Sequence, residues 1–367
     1  MKVLLLADNY PCKSYPYKGR FVFNFFKALR KYHDVTVISP RVFLKESLFS
    51  YETDSDYYPI LFSFSNKKIW GFYPLRFLNN FFKKQLIFWI AKKYNNKKPD
   101  VIYAHFISMG MLAKQLAQIW NIPYMIAIGE NNIDAYHYIN QEDIKFAIQD
   151  AKHLIAVSKK NHNIIQTKYG VNTKKITYLP NGIDSSIFKV MDPVTCRHQL
   201  GLALDSKIVI FVGHFIHRKG PDRVLEAIKK SQVPDLKLVL IGKGKPLLDN
   251  EHIIFQGTLS HDKLPLYLNA ADIFVLPTLS EGMPNATLEA MGCGLPIVTS
   301  DLDFNREFLD DTSACLIDPL DTDAIAREID RLFMDANAMK LYKQRSLEVI
   351  QNYTIEKRVK RFNEISL

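Results

Sequence analysis

Two glutamates beside a predicted helix start are the residues of this sequence best suited to carry chemistry. Glu281 and Glu289 have seven residues between them, and Pro284 suits a first helical position, so Glu281 is expected on a loop and Glu289 inside the helix. The unpaired N–H groups of a helix start bind phosphate or diphosphate. A carboxylate within that helix can accept hydrogen bonds from a vicinal diol such as ribose. The pattern predicts a nucleotide-sugar pocket.

The same pair also has a simpler interpretation. Glu281 would then only stabilise the helix dipole, and Glu289 would be an ordinary solvated helix residue. A bare pair of glutamates at this spacing is more often of that kind. The choice between the two interpretations therefore depends on the rest of the sequence.

Several motifs, in one order along almost the whole chain, resemble the retaining glycosyltransferases of family 4, which have the two-domain GT-B architecture. Residues 277–298 resemble the signature of that family, residues 212–220 its phosphate-binding segment, and residues 241–246 its Gly-x-Gly turn. Spaced motifs in a fixed order are more specific than any one alone. The resemblance implies an α/β fold with two Rossmann-like, doubly wound domains that face a central cleft.

The resemblance also implies roles for residues at matching positions. Lys219 and Arg218 would hold the diphosphate, Glu281 would position the donor sugar, and Glu289 would bind the ribose. A histidine in the position of His105 faces the donor sugar and its phosphate in the family, although a lone histidine is more often structural. The other implied donor-binding residues are Gly19, Gly213, Gly257, Gly282, Met283, Pro284 and Asn285.

Two segments depart from the family or leave a choice open. Many relatives carry arginine where this chain has His214, so either Arg218 replaces that guanidinium or the diphosphate is held more weakly. The loop that follows the strand through residue 128 matches one that faces the acceptor or donor sugar in the family. Which of Glu130, Asn131 and Asp134 reaches the site stays open.

The expected reaction needs neither a metal nor a cofactor. Cleavage at the anomeric carbon puts negative charge on the leaving diphosphate, which Lys219, Arg218 and the helix start can stabilise. The resemblance implies retention by same-face attack, with Glu281 positioning the donor rather than acting as a nucleophile. Three D-x-D strings offer a metal alternative that nothing around them supports, namely residues 54–56, 301–303 and 321–323.

Short β-branched runs alternate with helical patterns in both halves of the chain, which predicts two parallel, doubly wound sheets. Ser158 is expected to cap a helix that ends at Gly170. Turn-forming residues at 180–184 break the pattern and resemble the interdomain crossing of the family, which implies an acceptor-side domain at 1–184 and a nucleotide-sugar domain at 185–340. The final helical segment, at about 338–365, resembles the tail of the family, which implies that a helix within 341–367 packs back on the first domain.

Composition agrees with an intracellular enzyme of two domains. The chain has 367 residues, of which 47% are apolar, enough to bury two cores. Its four cysteines form no C-x-x-C pair, which is typical of a reducing cytoplasm. The first apolar run is too short for a signal peptide and predicts a buried strand instead.

The charge is concentrated in the first half of the chain. The net charge is +10, and residues 1–184 hold 26 Lys and Arg against 13 Asp and Glu. Within 72–94, one half of a helical wheel holds Leu78, Phe81, Phe82, Leu86, Phe88 and Trp89, and the other half holds Arg76, Asn79, Asn80, Lys83 and Lys84. This segment either packs on the sheet or binds an anionic membrane surface at the inner face of the plasma membrane.

The resulting prediction is a hexosyl-type glycosyltransferase. It would move a sugar from a UDP- or GDP-sugar to a glycan or lipid-linked acceptor, in bacterial cell-surface polysaccharide synthesis. Alternatives are a GT-B nucleotide-sugar epimerase and a non-catalytic nucleotide-sugar-binding subunit of a glycan assembly complex. Nucleic-acid binding, suggested only by the basic half, is not the expected activity.

Overall fold

The structure is a computed structural model that describes residues 1–11, 19–42, 56–60, 76–130, 140–247 and 250–365. Side chains are described in these ranges except at 41–42, 56–60 and 76–83. The chain forms two compact units. Unit 1 contains Met1–Pro180 and Val359–Leu367, and unit 2 contains Asn181–Arg358.

Unit 1 is built on a parallel sheet of seven strands in the order β3-β2-β1-β4-β5-β6-β7. The strands are β1 (Lys2–Ala7), β2 (Asp34–Val42), β3 (Asp56–Ile60), β4 (Val101–His105), β5 (Tyr124–Ile128), β6 (His153–Ala156) and β7 (Ile176–Tyr178). The helices are α1 (Arg20–Leu29), α2 (Arg76–Lys93), α3 (Ile107–Trp120), α4 (Gln141–Asp150) and α5 (Lys159–Tyr169). Every residue of β4 and β5 is buried, as expected for central strands covered on both faces.

Unit 2 repeats the architecture with six parallel strands in the order β10-β9-β8-β11-β12-β13. The strands are β8 (Lys207–Val212), β9 (Leu236–Ile241), β10 (Ile253–Gly257), β11 (Ile273–Leu276), β12 (Ile297–Ser300) and β13 (Cys315–Ile317). The helices are α6 (Pro193–Leu200), α7 (Pro221–Lys230), α8 (Leu264–Ala270), α9 (Asn285–Gly292), α10 (Asp303–Arg306), α11 (Thr322–Met334) and α12 (Ala336–Ile350). In both sheets the strand order reverses direction beside the first strand, which is where doubly wound folds bind ligands.

The predicted alternation of strands and helices is confirmed. The predicted cap of α5 is confirmed as well, because the Ser158 hydroxyl accepts from the Asn161 N–H and Gly170 ends the helix in the left-handed conformation. Sequence patterns did not predict β3, α4, α6, α10 or α11. β3, α6 and α10 are too short to show a clear period, whereas α4 and α11 bury apolar residues at helical spacing that the sequence analysis did not identify.

The predicted single helix at the carboxyl end is wrong. Residues 351–354 separate α12 from α13 (Ile355–Asn363), and the break is pinned by an isolated bridge between Ile183 and Thr354. The chain passes from unit 2 to unit 1 within α13. In unit 1, the buried Phe362 ring lies 5.7 Å from that of Phe25 and 5.9 Å from that of Tyr103.

The apolar face of α2 differs from the predicted one. Leu86, Ile87 and Ile90 are buried in the core of unit 1, whereas Phe88 is 64% exposed. The face predicted from 72–94 included Phe88 and omitted Ile87, because a wheel begun at Leu75 does not show which side packs against α3. Residues 72–75 and the side chains of 76–83 lie outside the described ones. Among the described residues, every helix is too short or too polar to span a bilayer.

Candidate functional site

Glu281 lies at the centre of a charged cluster in unit 2. Its Oε1 atom is 2.5 Å from Lys219 Nζ and 3.1 Å from Arg218 Nη1, and it accepts from the Thr278 hydroxyl at 2.7 Å. Arg218 also donates to the Ser280 carbonyl. The predicted cation pair and the predicted sugar-side carboxylate are therefore brought together by side-chain contacts.

The loops after β8 and β9 are joined, and this fixes the backbone beneath the cluster. The Gly213 N–H donates to the Ile241 carbonyl and the Gly242 N–H to that of Gly257, at 2.9 and 2.8 Å. A Cβ atom on Gly242 would lie 1.7 Å from the Gly213 carbonyl oxygen, so only glycine allows this approach. Gly213 and Gly257 thus support the loops, and Gly242 is required by packing.

His214 belongs to the same charged region. Burial lowers the pKa of His214 from its usual value, and the neighbouring charges of Lys219, Arg218 and Lys243 lower it further, while Glu281 acts in the opposite direction. An imidazole in this setting is neutral at neutral pH. The cluster consequently has three permanent cations and one carboxylate, an arrangement suited to an anion with several negative charges.

The start of α9 differs in detail from the prediction. Pro284 is the N-cap rather than the first helical residue, and its carbonyl accepts from the N–H groups of Thr287 and Leu288. Met283 is packed into the hydrophobic core of unit 2 and Gly282 is buried, so both support the helix start from beneath. Of the predicted residues in this segment, Asn285 and Glu281 have side chains that are partly exposed.

A buried polar chain that sequence reasoning missed holds Asn285. The amide oxygen of Asn285 accepts from Asn181 at 3.0 Å, and the Arg358 guanidinium donates to the amide oxygen of Asn181. Asn181 and Arg358 are each 5% exposed. The Asn-Gly turn at 181–182 was a visible signal, but nothing in the sequence linked it to Arg358.

Glu289 lies in α9 and has a partner that the sequence did not indicate. Its Oε1 atom is 3.2 Å from Nε2 of His261, which follows β10. The two side chains are 16% and 15% exposed. Glu289 is therefore not the solvated helix residue of the simpler interpretation.

His105 in unit 1 is the last residue of β4 rather than the first residue after it, and it is 2% exposed. Its ring contacts those of Phe106, Phe21 and Tyr103, at centroid distances of 4.4, 5.5 and 6.2 Å. The ring is enclosed by aromatic groups at the carboxyl edge of the sheet. This setting also suits the structural interpretation of His105.

Glu130, whose role the sequence left open, caps α3. Its carboxylate accepts from the Ile107 N–H at 2.7 Å and from the Gly129 N–H at 2.9 Å. Phe106, the residue before Ile107, has φ 75° and ψ 157°, a strained conformation for a residue with a side chain. Glu130 thus helps to hold the strained turn that follows His105, while Asn131 and Asp134 lie outside the described residues.

Gly19 is the N-cap of α1 and lies at the carboxyl edge of the unit 1 sheet, next to the end of β1. It has φ 65°, and a Cβ atom there would lie 2.0 Å from the Asn9 carbonyl oxygen. Glycine is therefore required for α1 to begin against the end of β1. Nearby, Ser108 donates to Asp8 at 3.0 Å, which joins the end of β1 to α3.

Three of the D-x-D aspartates have other partners. Asp301 pairs with Arg306 at 2.5 Å, Asp321 caps α11, and Asp323 pairs with Lys230 at 3.0 Å. Among the residues that the structure describes, no group of three or more His, Cys, Asp or Glu side chains is placed to hold a metal ion. Asp54 lies outside them.

Two α/β units, each with a parallel doubly wound sheet, together with the cluster around Glu281, define a glycosyltransferase of the GT-B fold class. The family model described as "Glycosyltransferase Family 4" matches residues 19–187, and that described as "Glycosyl transferases group 1" matches residues 195–348. The chain belongs to this family of glycosyltransferases, as its motifs predicted.

Known proteins show the same relationship over most of the chain. It is 28% identical to a putative teichuronic acid biosynthesis glycosyltransferase, TuaC, of Bacillus subtilis, over 90% of this chain and 89% of that one. It is 25% identical to a UDP-Gal:alpha-D-GlcNAc-diphosphoundecaprenol alpha-1,3-galactosyltransferase of Escherichia coli, over 75% and 77%. The crystal structure of HepE from Anabaena in complex with UDP-glucose has the same fold, with a TM-score of 0.74, 17% identity and coverage of 99% and 98%.

Proposed function

We propose that this protein is a metal-independent, retaining hexosyltransferase that uses a nucleotide-diphosphate sugar. The observation that carries the proposal is the convergence of Lys219 and Arg218, in the loop between β8 and α7, on Glu281, in the loop before α9, the helix that also carries Glu289. In this proposal unit 2 binds the donor and unit 1 binds the acceptor.

The proposed chemistry follows from where charge develops. As the bond between the anomeric carbon and the diphosphate breaks, negative charge grows on the leaving phosphate, and Lys219, Arg218 and the N–H groups at the start of α9 are suited to stabilise it. The acceptor hydroxyl attacks from the same face, and the leaving phosphate takes its proton. Glu281 binds hydroxyls of the sugar. Its present contacts with both cations imply that the diphosphate competes with Glu281 for them.

A UDP-sugar is the favoured donor, with a GDP-sugar as the second choice. Two observations support UDP: the E. coli relative is named for UDP-Gal, and the similarly folded HepE structure contains UDP-glucose. Glu289 would bind the ribose of either nucleotide equally well, because both carry the same diol. The base is therefore decided by groups other than Glu289.

The proposed acceptor is a growing cell-surface glycan on a polyprenyl diphosphate carrier. The names of the two relatives support it, since one is named as a putative teichuronic acid biosynthesis glycosyltransferase and the other for a diphosphoundecaprenol-linked sugar. A carrier of this kind is held in a membrane. The enzyme would then need to work at the inner surface of the plasma membrane.

The exposed side of α2 suits such a surface. Phe88 is exposed and lies between Lys84 and Lys92, which are exposed as well, while Lys93 packs over the Trp89 ring at 5.0 Å. Exposed aromatic and basic side chains together favour anionic lipid. Sedimentation with vesicles that contain or lack phosphatidylglycerol tests this, and equal recovery in the supernatant would leave α2 as a packing helix only.

The donor proposal is tested by calorimetric titration with UDP, GDP and their sugars. Glu289→Ala should weaken nucleotide binding roughly tenfold to a hundredfold, because it removes charge-assisted hydrogen bonds to the ribose. Glu226→Ala, an exposed change on α7, is the matched control. Unchanged affinity in a folded Glu289→Ala protein would contradict the ribose role.

Turnover separates transfer from epimerisation. With a UDP-sugar and no acceptor, the proposed enzyme should release UDP only slowly and should return the sugar with its original configuration. Accumulation of an epimer or a free glycal would instead identify a nucleotide-sugar epimerase. Binding without turnover in the presence of a polyprenyl-linked acceptor would support a non-catalytic subunit.

A further inference from the structure

His261 is held between an acid and an aromatic ring in unit 2. It begins a turn after β10 in which the Lys263 N–H donates to the Ser260 carbonyl at 3.0 Å. On one side its Nε2 atom lies 3.2 Å from Oε1 of Glu289. On the other side the Phe188 ring meets it edge to face at a centroid distance of 5.1 Å.

These contacts define the direction of the hydrogen bond. A carboxylate can only accept, so Nε2 of His261 carries the proton and donates to Glu289. Phe188 is 2% exposed and belongs to the core, so the imidazole rests on a rigid partner. A donor fixed in this way holds one carboxylate oxygen of the Glu289 side chain in a defined position.

Cys293, a neighbour of Glu289 at the end of α9, adds no charge. Cys293 lies one turn further along the chain, and burial, together with the charge of Glu289, raises the pKa of its thiol to about 12. The thiol is therefore neutral at physiological pH. Among the described contacts of Glu289, His261 provides the donated hydrogen bond.

We propose that His261 is a positioning residue for nucleotide recognition: it holds Oε1 of Glu289 and thereby presents Oε2 to the ribose hydroxyls of a nucleoside diphosphate. This inference rests on the proposed function. It adds a residue that acts through Glu289 and not on the diphosphate or the sugar. Its removal should weaken binding of nucleotides that have ribose hydroxyls and spare those that lack them.

The test compares UDP with 2′,3′-dideoxy-UDP by calorimetry on the full chain. His261→Leu should weaken UDP binding about tenfold, the effect expected for one hydrogen bond to a charged group, and leave the affinity for dideoxy-UDP within about twofold. His261→Gln can place an amide donor near the Nε2 position and should stay within about threefold of the wild type for both. His198→Leu, at an exposed histidine of α6, is the matched control.

Two results would overturn the inference. An equal loss for UDP and dideoxy-UDP would show that His261 only shapes the loop, and unchanged affinity for both would show that it has no role in binding. If His261→Leu does not fold, His261→Asn replaces it, because its shorter amide cannot reach Glu289 and should reproduce the selective loss that His261→Gln avoids.

Glu289→Ala, measured with the same two nucleotides, separates this inference from the proposed function. If Glu289→Ala fails to discriminate between them, the ribose role of Glu289 in the proposed function is wrong. If Glu289→Ala discriminates and His261→Leu does not, only the inference about His261 is wrong. With GDP as the tighter ligand, GDP and dideoxy-GDP take the place of the uridine pair.

Discussion

The two units use their polar residues in different ways. In unit 2 charged side chains contact one another, as Lys219 and Arg218 do with Glu281. In unit 1 the corresponding edge of the sheet holds His105 among aromatic rings, and Glu130 bonds to backbone N–H groups. One region presents partly exposed charge, and the other uses its polar groups largely to hold a strained turn.

This difference indicates which residues tolerate change. A cation in a cluster of charges acts directly on a bound anion, so its loss should affect binding and turnover more than stability. A carboxylate that caps a helix acts on the backbone first, so its loss should affect stability, and activity only through it. Four substitutions test the contrast.

The largest effect is expected for Lys219→Ala. It removes the ammonium that lies 2.5 Å from Glu281, so turnover should fall by at least about a hundredfold. Steady-state release of nucleoside diphosphate measures this, with Lys229→Ala on α7 as an exposed control. Turnover within about threefold of the wild type would contradict the view that the cations of unit 2 act directly on a bound anion.

The next effect is expected for His105→Phe. Phenylalanine suits the aromatic surroundings of His105, so the free energy of unfolding should change by less than about 1 kcal/mol. If the imidazole contributes a polar contact to the reaction, turnover should fall about tenfold, and His105→Gln should recover part of it. Full activity of His105→Phe would show that His105 has only a structural role in unit 1.

Glu130→Ala should act mainly on stability. It leaves the Ile107 N–H at the start of α3 without its carboxylate partner, at an expected cost of about 1 to 2 kcal/mol in urea unfolding. Glu142→Ala, at an exposed residue of α4, is the control. A loss of turnover far beyond the loss of folded protein would instead show that Glu130 contacts a substrate.

The smallest effect concerns pH and His214. Its pKa is lowered by burial and by Lys219, Arg218 and Lys243, and a bound diphosphate would raise it again. Donor binding is therefore accompanied by protonation of His214. The affinity for the donor should strengthen as pH falls from the pKa of His214 in the donor complex towards its lower pKa in the free protein. We expect a gain of about threefold for a UDP-sugar, whose diphosphate keeps a constant charge there. His214→Asn should bind with no such slope, and equal slopes for the two proteins would contradict the role of His214.

Much of unit 2 was predictable because its signals are local. Its glycines and spaced charges lie within short segments, and the loop pairing at Gly213 and Gly242 follows from neighbouring parallel strands. Predictions failed where a choice depended on distant partners. The face of α2 with Phe88 exposed, and the break between α12 and α13, are set by packing against other elements.

The sequence by itself determined the family and the two parallel sheets, and it singled out Glu281, Glu289 and Lys219 as candidate site residues. These depend on residue type and spacing, which local backbone geometry translates directly into strands, caps and loops. Only the tertiary structure decided that Glu289 pairs with His261, that Arg358 reaches Asn181 and that Glu130 caps α3. Those partners are 28, 177 and 23 residues apart, and no local pattern encodes which distant side chain packing will bring into contact.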